Sequence, residues 1–185
     1  MTDDIMKDAK AKMSQAVDFA REEFAAIRTG RAHPGMFNKI TADYYGAQTP
    51  LQQLATFQAP EARMMLITPF DKSSVNAIEK AIRESDLGVN PSNDGNSIRV
   101  VLPELTEERR KEYVKVAKTK AEEARVSIRG ARRTAKEALD KLVKNKEAGE
   151  DEIARVEKQL DAVTKEHTEK VDEALKAKEA ELLEV

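Results

Sequence analysis

Apolar residues recur every three or four positions at both ends of this chain and lose that rhythm in between. Ile5, Ala9, Met13, Ala16, Ala20, Phe24 and Ile27 form one stripe, the spacing of an amphipathic helix. Val114, Ala117, Ala121, Ala124, Ile128, Ala131, Ala135, Ala138 and Leu142 form a second, with the alternating four-three spacing of a helical seam. Ile153, Val156, Leu160, Val163, His167 and Val171 form a third. Three helices are expected. Thr2 caps the first, with Asp3 and Asp4 in its first turn, and Arg28 and Gly30 supply its last turn and stop. Thr106 caps the second, followed by Glu107 and Glu108, and Gly149 marks the reversal into the third.

Between these stripes the period changes to two. Ile40, Ala42 and Tyr44 alternate with Thr41 and Asp43, so 39–45 reads as a strand ending at Gly46. Leu51–Phe57 and Arg63–Ile67 are further strand candidates, broken by Pro60 and Pro69. Val75, Ile78, Ala81 and Ile82 restore helical spacing, with Ser73 or Ser74 as cap and Gly88 as stop. Asn90 to Gly95 is a turn cluster, and Ser97–Leu102 closes the region as a strand. All six prolines lie from Pro34 to Pro103, where strands and loops tolerate a residue that breaks helix interiors. A lone opening helix cannot bury its own stripe, so it must pack on the helices beyond the insertion. The expected fold is α+β: a three-helix bundle from 1–29 and 105–185, with a small β/α/β domain of 31–103 inserted. At ~1.5 Å per residue the 106–146 helix spans roughly 60 Å, so the bundle is elongated.

Composition narrows the picture. Charged residues make up 36% and aromatic residues 4%, as suits slender helices with narrow cores. No segment approaches the ~18 apolar residues of a membrane span, and Met1-Thr2-Asp3-Asp4 lacks the basic start of a signal peptide. With no cysteine there is no thiolate nucleophile or thiolate metal site, and a cytoplasmic location is expected. A net charge of −2 excludes a grossly basic nucleic-acid binder but allows a local patch. Residues 105–135 carry ten Lys/Arg against five Asp/Glu, residues 136–185 ten against fifteen, and 31–103 seven of each. That asymmetry predicts a positive face on one helix and a negative face on its neighbour.

The positive face has an address. Lys118, Arg125, Arg129, Arg132, Arg133 and Lys136 fall within about a 100° sector of the second long helix, beside its alanine seam. Guanidinium binds phosphate bidentately and stacks on bases, so a rigid helix with this stripe suits RNA. Equally, the stripe reads as a solvated face paired with acidic residues of the last helix such as Glu157 and Asp161. Gly130, inside the stripe, costs roughly 1 kcal/mol relative to alanine. Thr29, Gly30 and Arg31 flank the first crossing between domains, and Pro103, Glu104, Leu105 and Thr106 the second, so 29–31 and 103–106 read as a two-strand hinge.

Other candidates are weaker. Tyr44-Tyr45-Gly46 offers rings for base stacking, but Tyr44 lies on the apolar alternation and reads as core next to a turn. His167 sits on a helix seam and His33 is unpartnered, with no second ligand at metal spacing. No phosphate loop, dinucleotide fingerprint or nucleophile elbow is present. The carboxylates lie on helix faces where nothing tunes them for acid–base work. No catalytic residue, metal or cofactor is expected, and the chain is not expected to be an enzyme.

Ile27-Arg28-Thr29-Gly30-Arg31-Ala32, Tyr44-Tyr45-Gly46 with Thr49-Pro50-Leu51, Ser85-Asp86-Leu87-Gly88 with Asn90-Pro91, Leu105-Thr106-Glu107-Glu108-Arg109-Arg110 and the Arg125–Arg133 stripe occur together and in order. Jointly they resemble bacterial ribosome recycling factor over the whole chain. The resemblance implies an L-shaped protein and binding in the intersubunit space of the ribosome after termination. It implies that elongation factor G, by hydrolysing GTP, splits the subunits with it, and that initiation factor 3 keeps them apart. It implies a grip on large-subunit RNA through Arg129, Arg132 and Arg133, with Arg28 and Arg31 near the elbow. Gly130 departs from the family, which commonly has asparagine there. Two rivals stand beside it: a coiled-coil adaptor, which predicts an oligomer where a closed bundle predicts a monomer, and a hydrolase of the small domain relying on His33.

Overall fold

The computed structural model describes residues 1–184. Its elements are helices α1 (Thr2–Ala26), α2 (Val75–Arg83), α3 (Glu107–Lys144) and α4 (Glu150–Leu183), and strands β1 (Thr41–Tyr44), β2 (Ala47–Pro50), β3 (Ala55–Glu61), β4 (Met64–Pro69), β5 (Pro91–Asn93) and β6 (Ile98–Val101). The chain divides into two compact units. One joins Met1–Phe24 to Val116–Lys178, and the other joins Ala25–Lys115 to the chain from Glu179 onward.

The first unit is a bundle of α1, α3 and α4. Ala9, Met13, Ala16, Ala20 and Phe24 of α1 are buried, as are Ala117, Ala121, Ala124, Ile128 and Ala135 of α3 and Ile153, Leu160 and Val171 of α4. Small alanine side chains let the helix backbones approach, while the larger residues fill the space between them. Polar contacts tie all three helices. Ser14 Oγ lies 3.3 Å from His167 Nε2, Lys120 Nζ lies 4.0 Å from Glu23, and Arg125 pairs with Asp172. The pairs Arg125–Asp172, Arg132–Asp161 and Lys136–Glu157 run in opposite order along α3 and α4, so those helices are antiparallel. Near its C-terminal end α3 buries Leu139 where strict spacing points to Ala138, because an α-helix drifts against a seven-residue repeat.

His167 is buried, and its Nδ1 lies 2.8 Å from the Val163 carbonyl. That carbonyl accepts only, which assigns the proton to Nδ1 and leaves Nε2 to accept from the Ser14 hydroxyl. It is a satisfied core residue. The reversal after α3 is made at Lys146, not Gly149. Lys146 adopts φ 58°, Glu147 N–H donates to Leu142 O at 2.8 Å, and Lys146 N–H donates to Val143 O at 3.0 Å. That is the Schellman arrangement, with lysine in the left-handed position. Gly149 opens α4 instead, its carbonyl accepting from Ile153 N–H at 3.1 Å.

The second unit holds an antiparallel sheet ordered β3-β4-β6-β5 and a separate hairpin, β1-β2. Val75, Ile78 and Ile82 of α2 are buried in one cluster with Met65, Ile67, Ile98 and Val100 of the sheet and with Phe37 and Leu51. Two strands go beyond what the residue pattern predicts. Pro91–Asn93, expected as a turn, is edge strand β5, and Ala47–Pro50 pairs with β1 across a turn of Tyr45 (φ 50°) and Gly46 (φ 83°). Leu51–Gln53 is a short 3-10 turn rather than the start of a strand. Pro60 lies inside β3 at the opposite edge, where the register slips between Gln58 and Glu61. Proline at a sheet edge or bulge forfeits no ladder bond.

The end of α1 differs from expectation. The helix stops at Ala26, and Ile27, Arg28 and Thr29 are buried beyond it. Gly30 is not left-handed, so it does not act as the glycine stop. Thr29 Oγ1 shapes the turn, donating to Arg31 O at 3.1 Å and facing Arg31 N–H at 3.3 Å. Burying Ile27 and Arg28 outweighs another helical turn here.

Candidate nucleic-acid interface

Helix α3 is opened by Thr106, whose Oγ1 accepts from Arg109 N–H at 3.1 Å. It continues unbroken to Lys144, so side chains three, four and seven apart share a face. Arg125, Arg129, Arg132 and Arg133 are thereby held by one rigid element. Their surroundings are not alike. Arg125 donates from Nε to Asp172 at 2.8 Å and from a terminal nitrogen to Glu122 at 3.2 Å. Arg129 donates to the same Glu122 at 2.7 Å. Arg132 Nε donates to Asp161 at 2.7 Å. Lys136 lies 3.4 Å from Asp140 and 4.0 Å from Glu157. Arg133 is exposed and forms no ion pair among the described residues.

The pairing expected of a solvated face is present. The stripe lies beside the buried seam of α3, and most of it is paired with acidic residues of α3 and α4. Hydrogen bonds from Arg129 and then Arg125 hold the Glu122 carboxyl below its ordinary range. Burial works against the charge of Arg125, yet the hydrogen bonds to Asp172 and Glu122 outweigh it and raise its pKa. The residue pattern names Asp161 as a partner but neither Glu122 nor Asp172. Glu122 is legible in principle, three and seven residues before Arg125 and Arg129 on the same helix. Asp172 depends on the stagger of α3 against α4, which no local pattern states. Gly130 leaves the ridge open, since a Cβ there would meet only an Arg133 terminal nitrogen, at 4.0 Å.

Arg28 and Arg31 lie in the other compact unit and differ from each other. Arg31 is exposed, with a terminal nitrogen 3.6 Å from Glu184. Arg28 is buried and donates to the carbonyl of Pro103, while its Nε has no partner among the described residues. Burial lowers its pKa, Arg109 lowers it further, and Tyr113 opposes both. Arg28 therefore turns inward and presents no phosphate-binding surface. Of the other hinge candidates, Pro103 and Glu104 are exposed, while Leu105 is buried with its carbonyl accepting from Arg110 Nε at 3.4 Å.

The remaining candidates have local duties. His33 Nδ1 accepts from Gly35 N–H at 3.0 Å and caps the 3-10 turn Pro34–Phe37. Tyr44 is half-buried and donates to Asp71 at 2.8 Å. Tyr45 is exposed at the hairpin tip. Among the described residues no group of His, Asp and Glu is placed to hold a metal ion.

This arrangement has known counterparts. The profile of a family described as Ribosome recycling factor matches residues 20–183. The chain belongs to the ribosome recycling factor family. Ribosome-recycling factor of Cutibacterium acnes is 66% identical over 182 residues, covering 98% of this chain and 99% of the relative. That of Streptomyces avermitilis is 66% identical over the full length of both. A solution structure of a ribosome recycling factor superposes with TM-score 0.79 at 41% identity, covering 100% of this chain and 98% of the other. A second structure, of TM-score 0.72 and 40% identity, covers both chains completely. It is described as models for the T. thermophilus ribosome recycling factor and the E. coli elongation factor G bound to the E. coli post-termination complex.

As a member of the ribosome recycling factor family the chain is a translation factor and not an enzyme. The likeness extends through both compact units, so the helical bundle and the sheet unit both belong to the family fold. No described helix is long and apolar enough to cross a membrane.

Proposed function

We propose that this chain frees ribosomes from messenger RNA after termination by splitting the post-termination complex together with elongation factor G and GTP. The observation that carries this reading is the full-length likeness to a recycling factor placed with elongation factor G on a post-termination complex. The chain docks through the exposed guanidinium ridge of α3, with Arg129, Arg132 and Arg133 on large-subunit RNA, Arg125 at the margin and Arg31 as a separate contact. A stiff helix suits this task because phosphate contacts fix register and orientation only when their spacing is held. Segments 29–31 and 103–106 bound the inserted domain of 31–103 and absorb its motion, and the work comes from the partner's nucleotide chemistry. The protein acts in the cytoplasm as a monomer, a state favoured by the alanine seam being buried within its own bundle.

The test is polysome breakdown with purified ribosomes, elongation factor G and GTP. Adding the chain converts polysomes to free ribosomes and subunits; no change on addition overturns the reading. Arg132→Ala weakens ribosome binding while leaving the melting curve nearly unchanged, since an exposed ion pair contributes only ~0–1 kcal/mol. Equal losses of binding and stability would make Arg132 a structural residue.

A further inference from the structure

The arginine ridge is not an open anion site. Asp161 and Asp172 reach it from α4, and Glu122 reaches it from α3 itself. These carboxylates are half exposed, with side-chain exposures of 58%, 50% and 54%. Ion pairs in such positions add little to folding, because water and salt screen them. Their effect on an incoming polyanion is larger, because every phosphate that binds Arg125, Arg129 or Arg132 must displace or sit beside a carboxylate of like charge. Only Arg133 among the four arginines meets no such competitor among the described residues.

We propose that Glu122, Asp161 and Asp172 act as a built-in competitor for phosphate, setting the affinity and selectivity of the α3 ridge for RNA. The proposal rests on the reading that this ridge binds ribosomal RNA. An isolated or poorly spaced phosphate gains little by replacing a carboxylate already seated at 2.7 Å from Arg132 or Arg129. A target that presents several phosphates at the spacing of the ridge displaces all of them together. The carboxylates thus penalise generic RNA more than the matched surface, and they keep a factor that must leave its ribosome from binding too tightly.

The test uses the full-length chain, with binding to large ribosomal subunits and to an unrelated RNA duplex measured across a salt series. Asp161→Asn, Asp172→Asn and Glu122→Gln are compared with Asp18→Asn, which makes the same charge change at an exposed position of α1. Arg132→Ala reports on the underlying reading. Circular dichroism confirms that each variant is folded. The expected result is tighter binding by about two- to fivefold for each ridge carboxylate removed, the range spanned by exposed ion pairs, with a smaller gain for Asp18→Asn. The gain is greater on the duplex than on subunits. If Arg132→Ala weakens subunit binding but the carboxylate variants match Asp18→Asn or bind less well, the competitor role is overturned and the ridge reading stands. If Arg132→Ala changes nothing, the reading fails and the competitor role fails with it.

Discussion

Arg28 and Pro103, 75 residues apart in sequence, are joined by a hydrogen bond from the buried guanidinium to the proline carbonyl. That bond links the segment that follows α1 to the segment that precedes α3. A buried guanidinium with no acidic partner among the described residues is costly to place, so its retention here depends on what it holds together. Arg28→Ala removes both the bond and the packed side-chain stem, and is expected to cost about 2–3 kcal/mol in urea unfolding. Arg28→Met, which keeps an apolar stem, loses less. An alanine variant as stable as the parent would show that the contact holds nothing.

Gly130 gives the opposite sign. It lies inside a continuous helix, is not left-handed, and a Cβ would meet nothing closer than the Arg133 terminal nitrogen at 4.0 Å. Gly130→Ala is therefore expected to stabilise the bundle by about 0.5–1 kcal/mol, read as a rise in melting temperature. A lower melting temperature would mean that the helix needs glycine at this point.

Gly35 admits no such change. A Cβ there would lie 3.0 Å from both Ala25 Cβ and His33 Nδ1, and 3.1 Å from Ala25 O. One of those neighbours is backbone, and another is the ring nitrogen capping the turn. Gly35→Ala is expected to destabilise by about 1–3 kcal/mol, as overpacking does elsewhere. Denaturant midpoints for the two glycine variants should move in opposite directions.

Asp71 supplies a pH dependence. Its carboxylate accepts from the Ser73 hydroxyl at 2.7 Å, from Ser73 N–H at 2.9 Å and from Tyr44 at 2.8 Å. These bonds hold its pKa below the ordinary 3.8, while Tyr44 is raised by the same contact. A carboxyl depressed on folding binds fewer protons in the native state, so its stabilisation is present above 3.8 and fades as pH falls through the folded value. Asp71→Asn should lower the melting temperature at neutral pH and lower it less at about pH 3, below the unfolded value, where part of that stabilisation is already lost. An equal effect at both values would remove the charge from the explanation.

Much of the architecture is legible in the order of residues alone. Three apolar stripes announce three helices, and the crowding of proline into Pro34–Pro103 marks the mixed region. Thr106 acts as the cap its position suggests. Departures gather where a long-range contact overrides a local signal. Arg28 and Gly30 read as a helix end, but burial of Ile27 and Arg28 stops α1 at Ala26. Pro91 reads as a turn former, yet edge strand β5 accommodates it because its outer side needs no ladder. The ridge itself is plain from residue spacing. Its acidic partners on α4 are only partly legible, because pairing across helices depends on a stagger set by the whole seam.

The most direct test of the ridge as an RNA grip is the salt dependence of large-subunit affinity for the parent chain and for the variant Arg129→Gln, Arg132→Gln, Arg133→Gln. Each lost phosphate contact should make the slope of log affinity against log salt shallower by roughly 0.7–0.9, so three lost contacts remove about 2–2.7 from it, with little change in melting temperature. An unchanged slope in a folded variant would place the RNA contact elsewhere on the molecule and contradict the account.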